Sequence, residues 1–105
     1  MRAGIVAAAV LAAGMGIPNP AGAIDAGDVM DRMERKERLG FIGGAVDMAS
    51  HLYAVAGKTE KANCAVNWYF REEDSLRAIF DFLDAHKEVD AVGLISILID
   101  RRCGE

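Results

Sequence analysis

The sequence predicts an all-α fold, a small disulfide-stapled bundle of about three to four helices. Apolar residues recur at spacings of three and four in several separate stretches, which is typical of amphipathic helices. The one stretch that could also form a buried strand has no second strand to pair with. The only two cysteines, Cys64 and Cys103, suit a single covalent link in a domain of this size.

Residues 1–23 have the layout of a secretory signal peptide, so we expect the folded part to be a single domain of residues 24–105. Arg2 gives a short positive region, residues 5–15 are apolar, and Ala21-Gly22-Ala23 supplies the small residues of a cleavage site. A bilayer needs about 20 apolar residues, more than this stretch has. The alternative is an uncleaved anchor. We predict a periplasmic protein, exported and cleaved near Ala23, with no membrane attachment afterwards.

The charge balance argues against a nucleic-acid partner. The chain has 16 acidic and 12 basic residues, and its net charge of −4 becomes −5 when Arg2 leaves with the leader. Binding to phosphates requires clustered basic residues. An acidic domain permits a basic protein partner, and a homodimer is also permitted.

A first helix is expected from Asp28, whose carboxylate is placed to cap it. Asp31 to Arg38 is nearly all charged and predicts a solvated helical segment with a Glu34–Arg38 pair. A second helix follows and stops at Gly57. Its predicted inner face is Ile42, Ala45, Val46, Ala49, Leu52, Tyr53 and Ala56.

Two glycines near the start of this second helix predict a close contact. Gly40 and Gly44 lie one turn apart, where each costs about 1 kcal/mol relative to Ala. We therefore expect another helix or backbone segment to approach them closely. A ligand cradle is the alternative, but no strand precedes these glycines and no phosphate-binding motif surrounds them.

Lys58 to Phe70 is predicted to be a connection that contains Cys64 and ends in three consecutive aromatic residues. Consecutive side chains cannot all face one side of a helix, so at least one is expected to be partly exposed. The aromatic residues either close the end of the core or form a partner-binding patch. The candidate partner-binding residues are Trp68, Tyr69, Phe70, Glu72 and Glu73.

The last two helices are predicted most clearly. Leu76, Ile79, Phe80 and Leu83 mark one face of a helix that ends near His86. Asp90 can cap a final helix that runs to about Arg102 and is apolar almost all round, as expected at the centre of a small bundle. Its predicted inner face is Ala91, Leu94, Ile95 and Leu98.

The short turn between these helices predicts the disulfide. It makes them antiparallel neighbours, so Cys64, just before the first, and Cys103, at the end of the second, fall at the same end. Two cysteines in an exported domain are most simply a disulfide. The alternative is a metal site of these cysteines with His51 and His86, but no close C-x-x-C-type pair is present. No metal and no cofactor are expected.

No arrangement of side chains predicts catalysis. Ser50 and His51 are sequence neighbours, which do not face each other on a helix. The many carboxylates are spread as expected for solvated faces. We therefore predict a binding protein, not an enzyme.

The order of these elements resembles a known family. A leader is followed by Gly40-Phe-Ile-Gly-Gly-Ala-Val-Asp47, a cysteine, the amphipathic stretch Ser75–His86 and a last helix that ends in Cys103. Over about residues 39–103 this is similar to the Rap/Tai family of type VI secretion immunity proteins, which are HdeA-like small helical periplasmic domains. Members often have a proline soon after the first cysteine and before the second; this chain has Ala65-Val66 and Arg101-Arg102 instead.

The resemblance implies a periplasmic immunity protein that binds and neutralises a secreted cell-wall-degrading effector, often a peptidoglycan amidase. It also implies that Cys64 and Cys103 form an inter-helix disulfide. The alternatives are an acid-activated periplasmic chaperone of the HdeA type and a periplasmic binding protein of another role. For the chaperone, protonation of the carboxylates below about pH 3 would leave a strongly positive chain whose self-repulsion loosens the core.

Overall fold

The computed structural model describes residues 23–105, and the predicted leader lies outside this range except for Ala23. One π-helical turn, Asp28–Arg32, precedes four α-helices. These are α1 (Arg35–Val55), α2 (Thr59–Arg71), α3 (Ser75–Ala85) and α4 (Ala91–Cys103). The described residues contain no strand, only an isolated bridge between Asp25 and Asp90. The all-α prediction is confirmed.

The N-terminal turn (Asp28–Arg32) is capped differently from the prediction. Asp25 Oδ1 accepts a hydrogen bond from Asp28 N at 2.8 Å, and Asp28 Oδ2 accepts from Asp25 N at 3.4 Å, so the cap begins three residues before the predicted position and Asp28 is its second member. The next helix, α1, begins with a reciprocal capping box between Glu34 and Glu37. The predicted first helix is therefore a single turn that ends before α1.

Arg38 corrects the prediction of a fully solvated charged segment. Its guanidinium donates from Nε to Val29 O at 3.1 Å and from Nη2 to Met30 O and Met33 O at 3.0 and 3.1 Å. It also lies 5.6 Å from the centre of the Phe80 ring. Within residues 23–105 Arg38 forms no ion pair with Glu34, contrary to the prediction. Its guanidinium donates instead to carbonyl groups that have no partner within a helix.

The prediction of a connection at Lys58–Phe70 is wrong. Gly57, with φ of +84°, ends α1, and α2 then runs antiparallel to α1 as the second arm of a helical hairpin. Ala62, Ala65 and Trp68 form its buried face. Two of these side chains are small, which hides the helical spacing in the sequence.

Helix α4 lies at the centre of the bundle, as predicted, and contacts α1, α2 and α3. Asp90 caps it by accepting from Gly93 N at 2.8 Å. The core centres on large side chains from α1, α3 and α4: Ile42, Val46, Ile79, Leu83, Leu94, Ile95 and Ile99. No helix in residues 23–105 is long and apolar enough to cross a membrane.

The disulfide Cys64–Cys103 joins α2 to the end of α4, with 5.8 Å between the Cα atoms. This confirms the predicted pairing and the predicted position at one end of the bundle. Beside it, Lys61 Nζ donates to Asp100 Oδ1 at 2.5 Å, and Lys61 also lies over the Tyr53 ring. The hydrogen bond from Lys61 to Asp100 raises the pKa of Lys61 above 10.5.

Candidate partner-binding surface

The corner between α2 and α3 carries the aromatic residues that the sequence singled out. Helix α2 ends at Arg71, residues 72–74 form the turn, and Ser75 begins α3. Ser75 is buried, and its Oγ lies 3.0 Å from both Tyr69 O and Glu72 O, so its single proton is shared between two carbonyl groups at the end of α2. This contact fixes the direction in which the chain leaves α2. Sequence reasoning missed Ser75, because nothing in its neighbours marks it as buried.

The three aromatic residues divide between the core and the surface. Trp68 is only 6% exposed and belongs to the core cluster. Tyr69 is half-buried, and a methyl group added to Gly43 of α1 would lie 3.8 Å from its ring. Burial raises the pKa of the Tyr69 hydroxyl above its ordinary value. Trp68 therefore closes the core, which is one of the two predicted roles, and Phe70 is exposed, as expected of at least one of the three aromatic residues. Partner binding by these residues stays a prediction.

Phe70 is the apolar centre of this surface. It is 56% exposed and meets the edge of Tyr69, with 4.7 Å between the ring centres and 85° between the ring planes. Such an edge-to-face contact favours a defined ring orientation. Tyr69 therefore orders the Phe70 ring from one side, whereas Trp68, two positions earlier, faces the core on the other side of α2.

Acidic residues follow Phe70 in the turn that leads to α3. Glu72, Glu73 and Asp74 are all exposed. Glu72 Oε2 accepts from Arg102 Nη2 at 2.7 Å, which links this corner to the end of α4. None of the ion pairs within residues 23–105 involves Glu73 or Asp74. The corner therefore presents an aromatic ring beside unneutralised carboxylates, and we name Tyr69, Phe70, Glu72 and Glu73 the aromatic–acidic corner.

A second exposed apolar surface on α1 was missed by the sequence reasoning. Met48, Leu52 and Val55 are 59%, 57% and 72% exposed. Leu52 was predicted to face the core, but on α1 the side chains buried in the core are Ile42 and Val46. Helix α2 packs against the opposite side of α1, and no described element covers Leu52. One sequence shows which residues are apolar but not which of them a neighbouring helix reaches.

The predicted close approach at the glycines is also wrong. A methyl group on Gly40 or Gly44 would meet no other element of residues 23–105 within 4 Å. The glycine that faces another element is Gly43, opposite Tyr69. The small residues at positions 40 and 44 leave the outer side of α1 open.

The residues considered for catalysis or metal binding do not form a cluster. Ser50 Oγ donates to Ala62 O at 3.0 Å, which ties α1 to α2, while His51 is exposed. His86 Nδ1 lies 3.0 Å from Phe82 O. Both cysteines are used in the disulfide, and residues 23–105 contain no group of three or more His, Cys, Asp or Glu placed to hold a metal ion.

The fold and this surface define a class, a small all-helical domain closed by one disulfide and carrying an exposed aromatic–acidic corner. No protein-family model, curated protein or solved structure matches the chain. The resemblance to the Rap/Tai family remains a prediction from the sequence.

Proposed function

We propose that this chain is a periplasmic immunity-type protein that binds and neutralises a secreted cell-wall-degrading effector, such as a peptidoglycan amidase. The observation that carries the proposal is the exposed Phe70 ring at the end of α2, followed by the exposed Glu72 and Glu73 in the turn to α3. Aromatic anchors in ordered surroundings are the residues that most often dominate protein–protein binding.

The charge of the corner indicates the chemistry of the partner. An effector that fits it has an apolar pocket for Phe70 and basic residues opposite Glu73 and Asp74. Electrostatic attraction of this kind raises the association rate and depends on salt concentration. The Glu72–Arg102 pair links the corner to the end of α4, where the disulfide also joins α2 to α4, so little ordering is required on binding.

Direct titration of purified, exported peptidoglycan amidases from the same genome with the oxidised protein tests this function. The readouts are the dissociation constant and the release of soluble fragments from purified cell wall. The expected result is saturable binding to one amidase together with loss of its activity. If no amidase is bound at micromolar concentrations and none is inhibited, the proposed function is wrong.

Two matched pairs of variants locate the surface. Phe70→Ser is compared with Leu52→Ser, because the two side chains are 56% and 57% exposed on different helices. Glu73→Lys is compared with Asp81→Lys, an equal charge change at an exposed site on α3. We expect Phe70→Ser and Glu73→Lys to weaken amidase binding at least tenfold, about 1.4 kcal/mol, and the controls to change it little.

A specific observation also favours the chaperone alternative. Three ion pairs between elements use carboxylates, namely those of Lys61 with Asp100, Lys87 with Asp31, and Arg102 with Glu72. Protonation in acid removes all three, while the lysines and arginines remain charged. Near-ultraviolet circular dichroism at pH 2 tests this, because a chaperone of this type must lose its native signal and suppress client aggregation there.

A further inference from the structure

The predicted cleavage site lies directly against the first residues of the fold. Removal of the leader after Ala23 requires hydrolysis of the peptide bond between Ala23 and Ile24. Both of these residues are half-buried, and Ile24 packs against the core cluster. Two positions later, Ala26 is fully buried. No spacer therefore separates the bond that is cut from the folded domain.

Main-chain hydrogen bonds hold residues 24–27, which we name the N-terminal segment, against the connection between α3 and α4. Three bonds join the two stretches, from Ala91 N to Ile24 O at 3.0 Å, from Ala26 N to Val89 O at 2.8 Å and from Gly27 N to Lys87 O at 2.7 Å. Asp25 and Asp90 lie opposite each other in an antiparallel bridge between the first two of these bonds. The main-chain groups that follow the cleavage site are therefore already paired within the fold.

A protease requires the opposite state of these groups. The chain on both sides of a bond that is cut must be exposed and extended, so that its main chain can pair with the enzyme. In the folded domain Ile24 O is paired with the first residue of α4. At Gly27 the backbone has already turned helical, with φ of −62° and ψ of −39°. The same residues cannot serve the fold and the enzyme at once.

We propose that docking of the N-terminal segment and removal of the leader exclude each other, so that cleavage at Ala23 must precede docking. In the cleavage step water adds a hydroxyl group to the carbonyl carbon of Ala23 and a hydrogen to the nitrogen of Ile24. The new acid and amine are then ionised at neutral pH. The proposal rests on the predicted leader and shares no residue with the aromatic–acidic corner, so it does not depend on the proposed immunity function.

Undocking of the N-terminal segment limits how fast a folded precursor, the chain of residues 1–105, can be cut. When undocking and docking are fast relative to cleavage, the rate follows the fraction of molecules in which the segment is undocked. Undocking breaks three hydrogen bonds and brings the buried Ala26 into water, so this fraction is small. We expect the folded, oxidised precursor to be cut at least tenfold more slowly than a precursor whose segment is undocked.

A spacer between the cleavage site and the fold tests the proposal. Insertion of Ile-Asp-Ser-Gly between Ala23 and Ile24 keeps Ile and Asp after the bond and moves the bond about 13 Å along the chain. The control has the same four residues inserted after Gly57, in the turn between α1 and α2. Each purified precursor, with the Cys64–Cys103 disulfide formed, is incubated with purified signal peptidase, and mass spectrometry measures cleavage after Ala23.

We expect the spacer variant to be cut at least tenfold faster than the unmodified precursor, and the control insertion to leave the rate unchanged. If the unmodified precursor is cut as fast as the spacer variant, the proposal is wrong. If neither is cut after Ala23, the predicted cleavage site fails and the proposal falls with it.

A substitution remote from the cleavage site gives a second test. Ala91→Pro removes the donor to Ile24 O and puts a ring in its place, while proline is tolerated at the first position of a helix. Arg35→Pro is the matched control at the first position of α1, where the preceding residue is also extended. We expect Ala91→Pro to raise both amide exchange at Ala26 and the cleavage rate, and Arg35→Pro to change neither. Faster exchange at Ala26 without faster cleavage would overturn the proposal.

Discussion

Arg38 Nε donates to Val29 O across 3.1 Å and thereby ties the N-terminal turn to α1. With the two further bonds from Nη2, one side chain serves three main-chain carbonyl groups of residues 29–33. Hydrogen bonds from a charged donor contribute about 1.5–3 kcal/mol each in favourable cases. Main-chain hydrogen bonds from Ala26 N to Val89 O and from Gly27 N to Lys87 O hold the other side of the turn, so Arg38 is its main polar link to α1.

Arg38→Met is therefore expected to lower the free energy of unfolding by about 2 kcal/mol, because the alkyl stem is retained but three carbonyl groups lose their donor. Amide hydrogen exchange should rise most at residues 26–32. Arg35→Met is the matched control, since Arg35 is exposed on the same helix. Equal exchange in the two variants would show that Arg38 does not hold the turn.

The disulfide is expected to contribute about 4 kcal/mol to stability, because it closes a loop of 39 residues in the unfolded chain. Replacement of both cysteines, Cys64→Ser with Cys103→Ser, removes the link without leaving a lone thiol. Urea unfolding of this variant and of the oxidised protein gives the difference. The control is the unmodified protein under reducing conditions, which should match the variant. A difference below about 1 kcal/mol would contradict the loop-closure argument.

Alkaline pH is expected to destabilise the fold through two residues. The pKa of Lys61 is raised above 10.5 mainly by its hydrogen bond to Asp100, and burial raises the pKa of Tyr69 above 10.0. In both cases the folded state holds the proton more tightly than the unfolded state. The stability gained from this tighter proton binding is fully present below about pH 10. It is lost as the pH rises through the pKa values of the two groups in the folded state.

Urea unfolding between pH 8 and pH 12 measures this loss. Tyr69→Phe and Lys61→Met should each flatten the decline above pH 10, and the double variant should flatten it further. Lys58→Met is a useful control, because Lys58 is exposed and takes part in none of the ion pairs within residues 23–105. A steep decline that persists in the double variant would assign the effect to other groups.

Two leucines contrast a buried position with an exposed one on the outer face of α1. Leu83 is fully buried, whereas Leu52 is 57% exposed. Leu83→Ala should lower the free energy of unfolding by about 2–5 kcal/mol, because it leaves a cavity among packed side chains. Leu52→Ala should change it by about 0.5 kcal/mol or less, because this side chain is more than half exposed. Thermal and urea unfolding compare the two directly, and similar losses would show that Leu52 is covered.

The sequence predicts α3 and α4 well because large residues mark their buried faces. Ile79 and Leu83 on α3, and Ile95 and Ile99 on α4, are each four residues apart and are all buried. Helix α2 escapes prediction because its inner face consists of Ala62, Ala65 and Trp68, so only one large residue signals burial. Periodicity in apolar residues detects a helix only when the buried side chains are large enough to stand out.

The candidate surface was predictable in part. Three consecutive aromatic residues had to divide between faces, but only packing shows that Trp68 turns inward and Phe70 outward. Ser75 and Arg38 could not be foreseen, because each acts on main-chain carbonyl groups that the sequence does not position. The exposure of Leu52 also depends on where α4 lies against α1.

The covalent link between Cys64 and Cys103 also determines how the domain responds to mechanical force. A pull applied between Ala23 and Glu105 cannot extend the 39-residue loop of the link, which contains α3 and most of α4. Only the chain from residue 23 to residue 64, with α1 and the start of α2, can lengthen. At about 3.4 Å per residue this limits the extended length to roughly 140 Å. The part of the chain that extends under tension is therefore the part that carries the exposed Met48, Leu52 and Val55.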